Sequence, residues 1–189
     1  FSKKTSRSLS SALIVSMATA NLYYLPFEQA VGLIAQAGYA AVELALPWER
    51  GTWAMAQHLR DVPARQAARA LARVGLRVAS VHDGGGVLDG PGSASGYVNP
   101  VLREYLDALG YSPDCLVLHT PHLAGEWGDA WWRETAPSVL RALGDYRGRA
   151  PMLTIENMPA LDGYTVPMTT PQELAAFCRT HDLGVTLDT

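Results

Sequence analysis

The sequence predicts an α/β fold, a TIM-type (β/α)8 barrel of parallel strands with about six of its βα units present, and three observations carry that expectation. Strand-like and helix-like segments alternate along the 189 residues with little between them. Several strands read as continuous apolar runs, such as LIVSM from Leu13 and CLVL from Cys115, which suits a sheet covered on both faces. Four strands end in a metal-capable side chain, at His82, His119, Glu156 and Asp188, with steps of 37, 37 and 32 residues between them. Each step is about the length of one strand, loop, helix and loop. A doubly wound open sheet would also gather strand ends at one face and stays open as the second arrangement.

The elements follow in order. Leu13 to Thr19 (LIVSMAT) reads as the first strand, although Lys3, Lys4 and Arg7 ahead of SALIVSMATA imitate a secretory signal. The apolar run Ala12 to Met17 is short for such a signal and is interrupted by Ser16, which favours the strand. Phe27, Ala30, Val31, Ile34 and Ala37 keep helical spacing up to Gly38. Ala41 to Leu46 is the second strand, Pro63 to Val74 the second helix, closed by Gly75, and Arg77 to His82 the third strand. Asn99 and Pro100 predict the N-cap and first turn of a third helix ending at Gly110, before a fourth strand at Cys115 to His119. Ala136 to Tyr146 is the fourth helix, with Pro137 in its first turn, and Met152 to Glu156 the fifth strand. Thr170, Pro171, Gln172 and Glu173 form a capping box for a fifth helix running to about His181, and Gly184 to Asp188 is the sixth strand. A complete barrel needs about 250 residues, so the expectation is a single barrel domain over 1–189 whose strands seven and eight fall outside this sequence. The first and sixth strands would then have open edges, which a second copy of the chain or another segment would cover.

Composition narrows the function classes. The chain is 48% hydrophobic and 17% charged with a net charge of -3 and a pI near 5.9. Its 13 Arg and 2 Lys are dispersed, which argues against a nucleic-acid partner. The densest group, Arg65, Arg69 and Arg73, alternates with Ala67, Leu71 and Val74 as the solvated face of an amphipathic helix. Two cysteines make no disulfide framework, so Cys115 and Cys178 are expected reduced. No run reaches the roughly 18 apolar residues of a membrane span. A cytoplasmic protein is the expectation, and the abundance of Ala and preference for Arg over Lys point to a GC-rich bacterial source.

Imidazole and carboxylate ligands at four equivalent strand ends suit a divalent metal such as Mn, Zn, Co, Fe or Mg. Each of these residues alone could be a bonded core histidine or a turn-capping carboxylate; their shared position favours a site. The five tryptophans (Trp48, Trp53, Trp127, Trp131 and Trp132) all follow the second or fourth strand, near the expected mouth. There Trp48 and Trp127 are candidates to bind a sugar face, with His122 beside them. The segment from Asp83 to Gly96 (DGGGVLDGPGSASG) lacks the Lys and Ser/Thr of a P-loop and reads as a lid or flexible loop. Glu43, inside the second strand, reads as structural before catalytic.

The set GYAAVEL (38–44), VASVH (78–82), LVLHT (116–120), TIENMP (154–159) and GVTLDT (184–189) resembles the xylose-isomerase-like barrel superfamily. That superfamily holds sugar and sugar-phosphate isomerases and epimerases together with the endonuclease IV family of abasic-site nucleases. The resemblance implies that Glu156 and Asp188 ligate a divalent metal, with Glu156 also moving a proton. It further implies that His82 and His119 bind metal or face substrate. The family's ligands on strands seven and eight, and the His that usually follows the LDT motif, have no counterpart within these residues.

The resulting expectation is a metal-dependent isomerase or epimerase of a small sugar or sugar phosphate. An endonuclease IV-like phosphodiesterase is the alternative, favoured by the pair His82 and His119. The acidic balance and the MPALDGY segment after IEN, which lacks that branch's glycine-glutamine pattern, weigh against it. A barrel that keeps ligand residues but serves as an inactive binding or structural subunit is the third reading.

Overall fold

In the structure, a computed structural model, residues 14–47, 58–88, 90, 92–129, 131–160 and 163–188 are described. The chain runs β1 (Ser16–Ala18), α1 (Phe27–Gln36), β2 (Ala41–Ala45), α2 (Ala64–Arg73), β3 (Arg77–His82), β4 (Val87–Leu88) and α3 (Leu102–Leu109). It continues through β5 (Cys115–His119), β6 (His122–Ala124), α4 (Ala136–Gly144), β7 (Met152–Glu156), β8 (Tyr164–Thr165), α5 (Pro171–Thr180) and β9 (Gly184–Thr186). Six strands form one sheet in the order β1-β2-β3-β5-β7-β9, every neighbouring pair parallel. Each strand joins beside its predecessor, so the order never reverses. A doubly wound sheet requires such a reversal, and the barrel-type arrangement stands.

The helices carry the burial that holds this arc. In α1, Phe27, Ala30, Val31 and Ile34 are buried at helical spacing. Each large apolar side chain so placed contributes about 1.5–3 kcal/mol of transfer free energy. Leu71 of α2, Leu102 and Leu106 of α3, Val139 of α4 and Phe177 of α5 join the same cluster with Leu44, Val81, Leu116 and Ile155 of the sheet. Gly110 ends α3 at φ 72°, a left-handed conformation that suits glycine. At α5 the capping box forms as the sequence predicts: Thr170 Oγ1 accepts from the Glu173 N–H and the Glu173 carboxylate accepts from the Thr170 N–H.

Several boundaries differ from expectation, three of them with a physical reason in the structure. The first strand is shorter, because Thr19 begins a 3-10 turn and its hydroxyl accepts from the Ala45 N–H; Leu13 lies outside the described residues. Helix α3 begins at Leu102 rather than at Pro100 with Asn99 as its N-cap, and Asn99 Oδ1 caps the preceding turn by accepting from the Val101 N–H. Strand β9 ends at Thr186, two residues before Asp188. A π-type turn, Trp131–Thr135, precedes α4.

The register between β2 and β3 slips by one residue: Val42 pairs with Val78, but Glu43 pairs with Ser80. Ala79 is the extra residue, and the slip changes which face the rest of β3 presents. Val78 and Val81, three apart, both enter the hydrophobic core, whereas Ser80 and His82 turn the other way. Strict alternation would have placed residues 78, 80 and 82 on one face. The bulge is held by the Tyr111 hydroxyl, which accepts from the Val78 N–H at 2.8 Å, and by the Ala79 carbonyl, which accepts from the Asp114 N–H.

A second sheet, unforeseen from sequence, forms where the loops after β3, β5 and β7 meet: β4 pairs parallel with β6, and β6 antiparallel with β8. The glycine-rich stretch expected as a lid therefore contains an ordered strand, Val87–Leu88. No helix among the described residues is long and apolar enough to cross a membrane. Beside β1 and at β9, Val15 and Leu187 expose apolar side chains, and among the described residues each of these strands pairs on one side only.

Candidate metal centre

The strand ends bring three of the four expected ligands together. His82 at the end of β3, His119 at the end of β5 and Glu156 at the end of β7 are all buried, and one ligand atom of each lies within 4.8 Å of the others. His82 Nε2 and His119 Nε2 are 2.9 Å apart, and Glu156 Oε2 lies 3.1 Å from each. Strand pairing makes this possible: His119 faces Glu156 directly across β5 and β7, and His82 faces Val117 one step away.

The donor set fits a divalent metal: two imidazoles and one carboxylate converge within hydrogen-bonding distance of one another, and such a set would hold an ion such as Mn, Fe, Co or Zn.

The electrostatics are those of a tightly coupled group. Burial works against a charged His82, but its bonds to Glu156 and Glu43 outweigh burial and raise its pKa to about 9. Burial likewise pushes Glu156 upward, and the bonds from His119 and His82 override this and hold it at about 2. Metal-free, the cluster is an imidazolium beside a carboxylate; a bound cation would take over the role of the imidazolium proton.

Surrounding residues fix the three candidate ligands. Glu43 Oε1 lies 3.3 Å from His82 Nδ1, and Ser80 Oγ donates to Glu43 Oε2 at 2.9 Å. Burial raises the Glu43 carboxyl, but His82 and the Ser80 hydroxyl bring it below its ordinary value. The buried Tyr97 hydroxyl donates to the His119 carbonyl, and Thr120 donates through both N–H and Oγ1 to the Glu156 carbonyl. Asp83, next to His82, is buried and accepts from the Asn99 N–H through both oxygens. Asn99 Nδ2 in turn donates to the carbonyls of Pro47 and Asp83, tying the ends of β2 and β3 to α3. Sequence reasoning missed the Asp83 and Asn99 pair, whose partners are 16 residues apart in sequence. For Glu43 an acidic residue inside an apolar strand was the available signal.

The remaining expected site residues are placed differently. Asp188 is exposed and is not part of the three-residue cluster; its backbone N–H donates to Asn157 Oδ1, and its carbonyl accepts from Asn157 Nδ2. His122 is buried at the start of β6, its ring 6.0 Å from that of His119. Burial and the neighbouring His119 lower its pKa to about 4, so it is neutral, and its Nδ1 has no hydrogen-bond partner. Gly86 makes room for it: a Cβ there would sit 2.9 Å from His122 Nδ1. Trp127 is half-buried and its indole N–H donates to the Ala124 carbonyl, whereas Trp131 is buried in the core. Trp48 and Trp53 lie outside the described residues.

No family model and no curated protein matches the sequence. Solved structures do match, at identities that show the fold alone, a TIM-type barrel. An AP endonuclease of family 2 from Brucella melitensis is 14% identical with a TM-score of 0.57, over 94% of this chain and 68% of its own. A D-tagatose 3-epimerase-like protein is 17% identical with a TM-score of 0.59, over 93% and 65%. A 3-keto-D-glucoside 4-epimerase from E. coli is 15% identical with a TM-score of 0.57, over 93% and 67%. The chain thus spans about two thirds of the length of these three and 58% of a xylose isomerase domain containing protein from Salmonella typhimurium that it also matches.

Proposed function

We propose that this chain carries the metal site of an isomerase or epimerase acting on a small sugar or sugar phosphate. The observation that supports it is the convergence of His82, His119 and Glu156 at the carboxyl ends of parallel strands, in a fold whose neighbours include named epimerases. A divalent metal bound there would polarise a carbonyl and hold the adjacent hydroxyl oxygen. The protein's own part is proton transfer and orientation. Glu156 directs Oε2 at both imidazoles, leaving Oε1 to take a proton from the carbon next to the carbonyl. Asp188 is the fourth candidate ligand; Asn157 holds its backbone and leaves the carboxylate able to turn inward. His122, neutral and beside His119, would meet a substrate oxygen, with Trp127 forming an apolar wall.

The test begins with elemental analysis of freshly purified protein. Near-stoichiometric Mn, Co, Fe or Zn in the wild type, lost in a Glu156→Gln, His119→Ala double variant, supports the site. With that metal added, solvent deuterium should enter the carbon beside the carbonyl of an accepted aldose or ketose. Metal binding without exchange on any sugar would remove the isomerase reading and leave a binding role.

A second reading is favoured by one observation: both His82 and His119 contact the same carboxylate oxygen, and an AP endonuclease is among the fold neighbours. Cleavage of abasic-site DNA, with affinity falling steeply as salt rises, would establish it over the first.

A further inference from the structure

We propose that Glu43, anchored by Ser80, is a positioning residue that fixes the His82 imidazole for metal binding. The inference rests on the metal-site reading above. Glu43 uses its two oxygens on two partners, Oε1 toward His82 Nδ1 at 3.3 Å and Oε2 toward Ser80 Oγ at 2.9 Å. Rotation of the carboxylate would break one or both contacts. A carboxylate on Nδ1 keeps a ring proton there, so that a metal displacing the other proton would meet the Nε2 lone pair on the side of His119 and Glu156.

The backbone is built for this pairing. The register slip in β3 sets Ser80 level with Glu43 and turns His82, two residues on, to the same side. Bulges in parallel pairs are uncommon and tend to re-aim side chains near functional sites. An acidic side chain in a mostly buried strand costs folding free energy unless it is bonded. Among the described residues, the hydrogen-bond partners of Glu43 are His82 and Ser80.

The experiment compares Co(II) titrations, followed by absorbance, of the wild type with Glu43→Ala, Glu43→Gln and Ser80→Ala. Metal-free thermal melts accompany them. Glu43→Ala should weaken Co(II) binding about 10–100-fold. Ser80→Ala should weaken it by a smaller factor, and Glu43→Gln should fall between, because its amide oxygen still accepts from Nδ1–H without the charge. Unchanged Co(II) affinity with lowered melting temperature would assign Glu43 to stability and overturn the proposal. A wild type that binds no Co(II) would remove the metal reading itself, whereas a wild type that binds it with an affinity that Glu43→Ala leaves unchanged would overturn the positioning role alone. Should Glu43→Ala not fold, Glu43→Gln and Ser80→Ala give the same comparison.

Discussion

Replacing Glu156 by Gln in the metal-free protein should cost stability in a way that depends on pH, and the structure sets both the size and the window. His82 rises from 6.5 to about 9 and Glu156 falls from 4.5 to about 2. Either displacement, at 1.36 kcal/mol per pH unit, corresponds to about 3 kcal/mol. The two share the His82–Glu156 contact, with Glu43 adding to the first and His119 to the second, and they are not summed. The side chains are 8% and 10% exposed, so solvent screening takes little away. The sign follows from linkage. A raised histidine contributes fully below its unfolded pKa of 6.5 and loses the contribution as pH rises through about 9. A depressed glutamate contributes fully above its unfolded 4.5 and loses the contribution as pH falls through about 2. The pair is therefore fully stabilising between about pH 4.5 and 6.5. Urea unfolding in EDTA should show Glu156→Gln less stable than wild type by about 3 kcal/mol at pH 5.5 and by no more than about 1 kcal/mol at pH 10. A difference that stays constant across that range would mean that the substitution disturbs packing, and the charge argument would fail.

Asp83 should behave oppositely to an ordinary surface aspartate, because burial raises it to about 7 against the weaker pull of the Asn99 N–H and His82. Its contribution is complete below pH 4 and is lost as pH rises through 7, so Asp83→Asn should gain stability relative to wild type over that interval, by up to about 4 kcal/mol; parallel stability curves would refute this. Gly86→Ala should cost about 1–3 kcal/mol in thermal melts, since residue 86 has φ 131° and the new methyl would meet His122 Nδ1 at 2.9 Å. An unaltered melting temperature would show that the loop adapts freely. Tyr111→Phe removes the acceptor for the Val78 N–H at the β3 bulge and should cost about 1 kcal/mol in urea unfolding. Faster amide exchange at Val78 should accompany it, and unchanged exchange would assign the bulge's support elsewhere.

The sequence by itself determined the main-sheet strands, the five helices and three of the candidate ligands. The ranges of β3, β5 and β7 coincide with the apolar runs ending at His82, His119 and Glu156, and α5 begins at its capping box. These features are local: apolar periodicity, a capping side chain and a stop residue act within about one turn or strand. Tertiary structure decided the rest. Strand order excluded the open sheet, and inter-strand register turned Ser80 and His82 toward Glu43 by inserting Ala79. The spacing of Val78 and Val81 carried a trace of that slip, but a period of three within a strand has no meaning until the partner strand is known. Asp188 ended the expected sixth strand, yet β9 stops at Thr186 and leaves it outside the triangle. The loop sheet containing His122 has the same origin: two- and three-residue strands are too short for periodicity to announce, and they form because neighbouring loops satisfy one another's backbone groups.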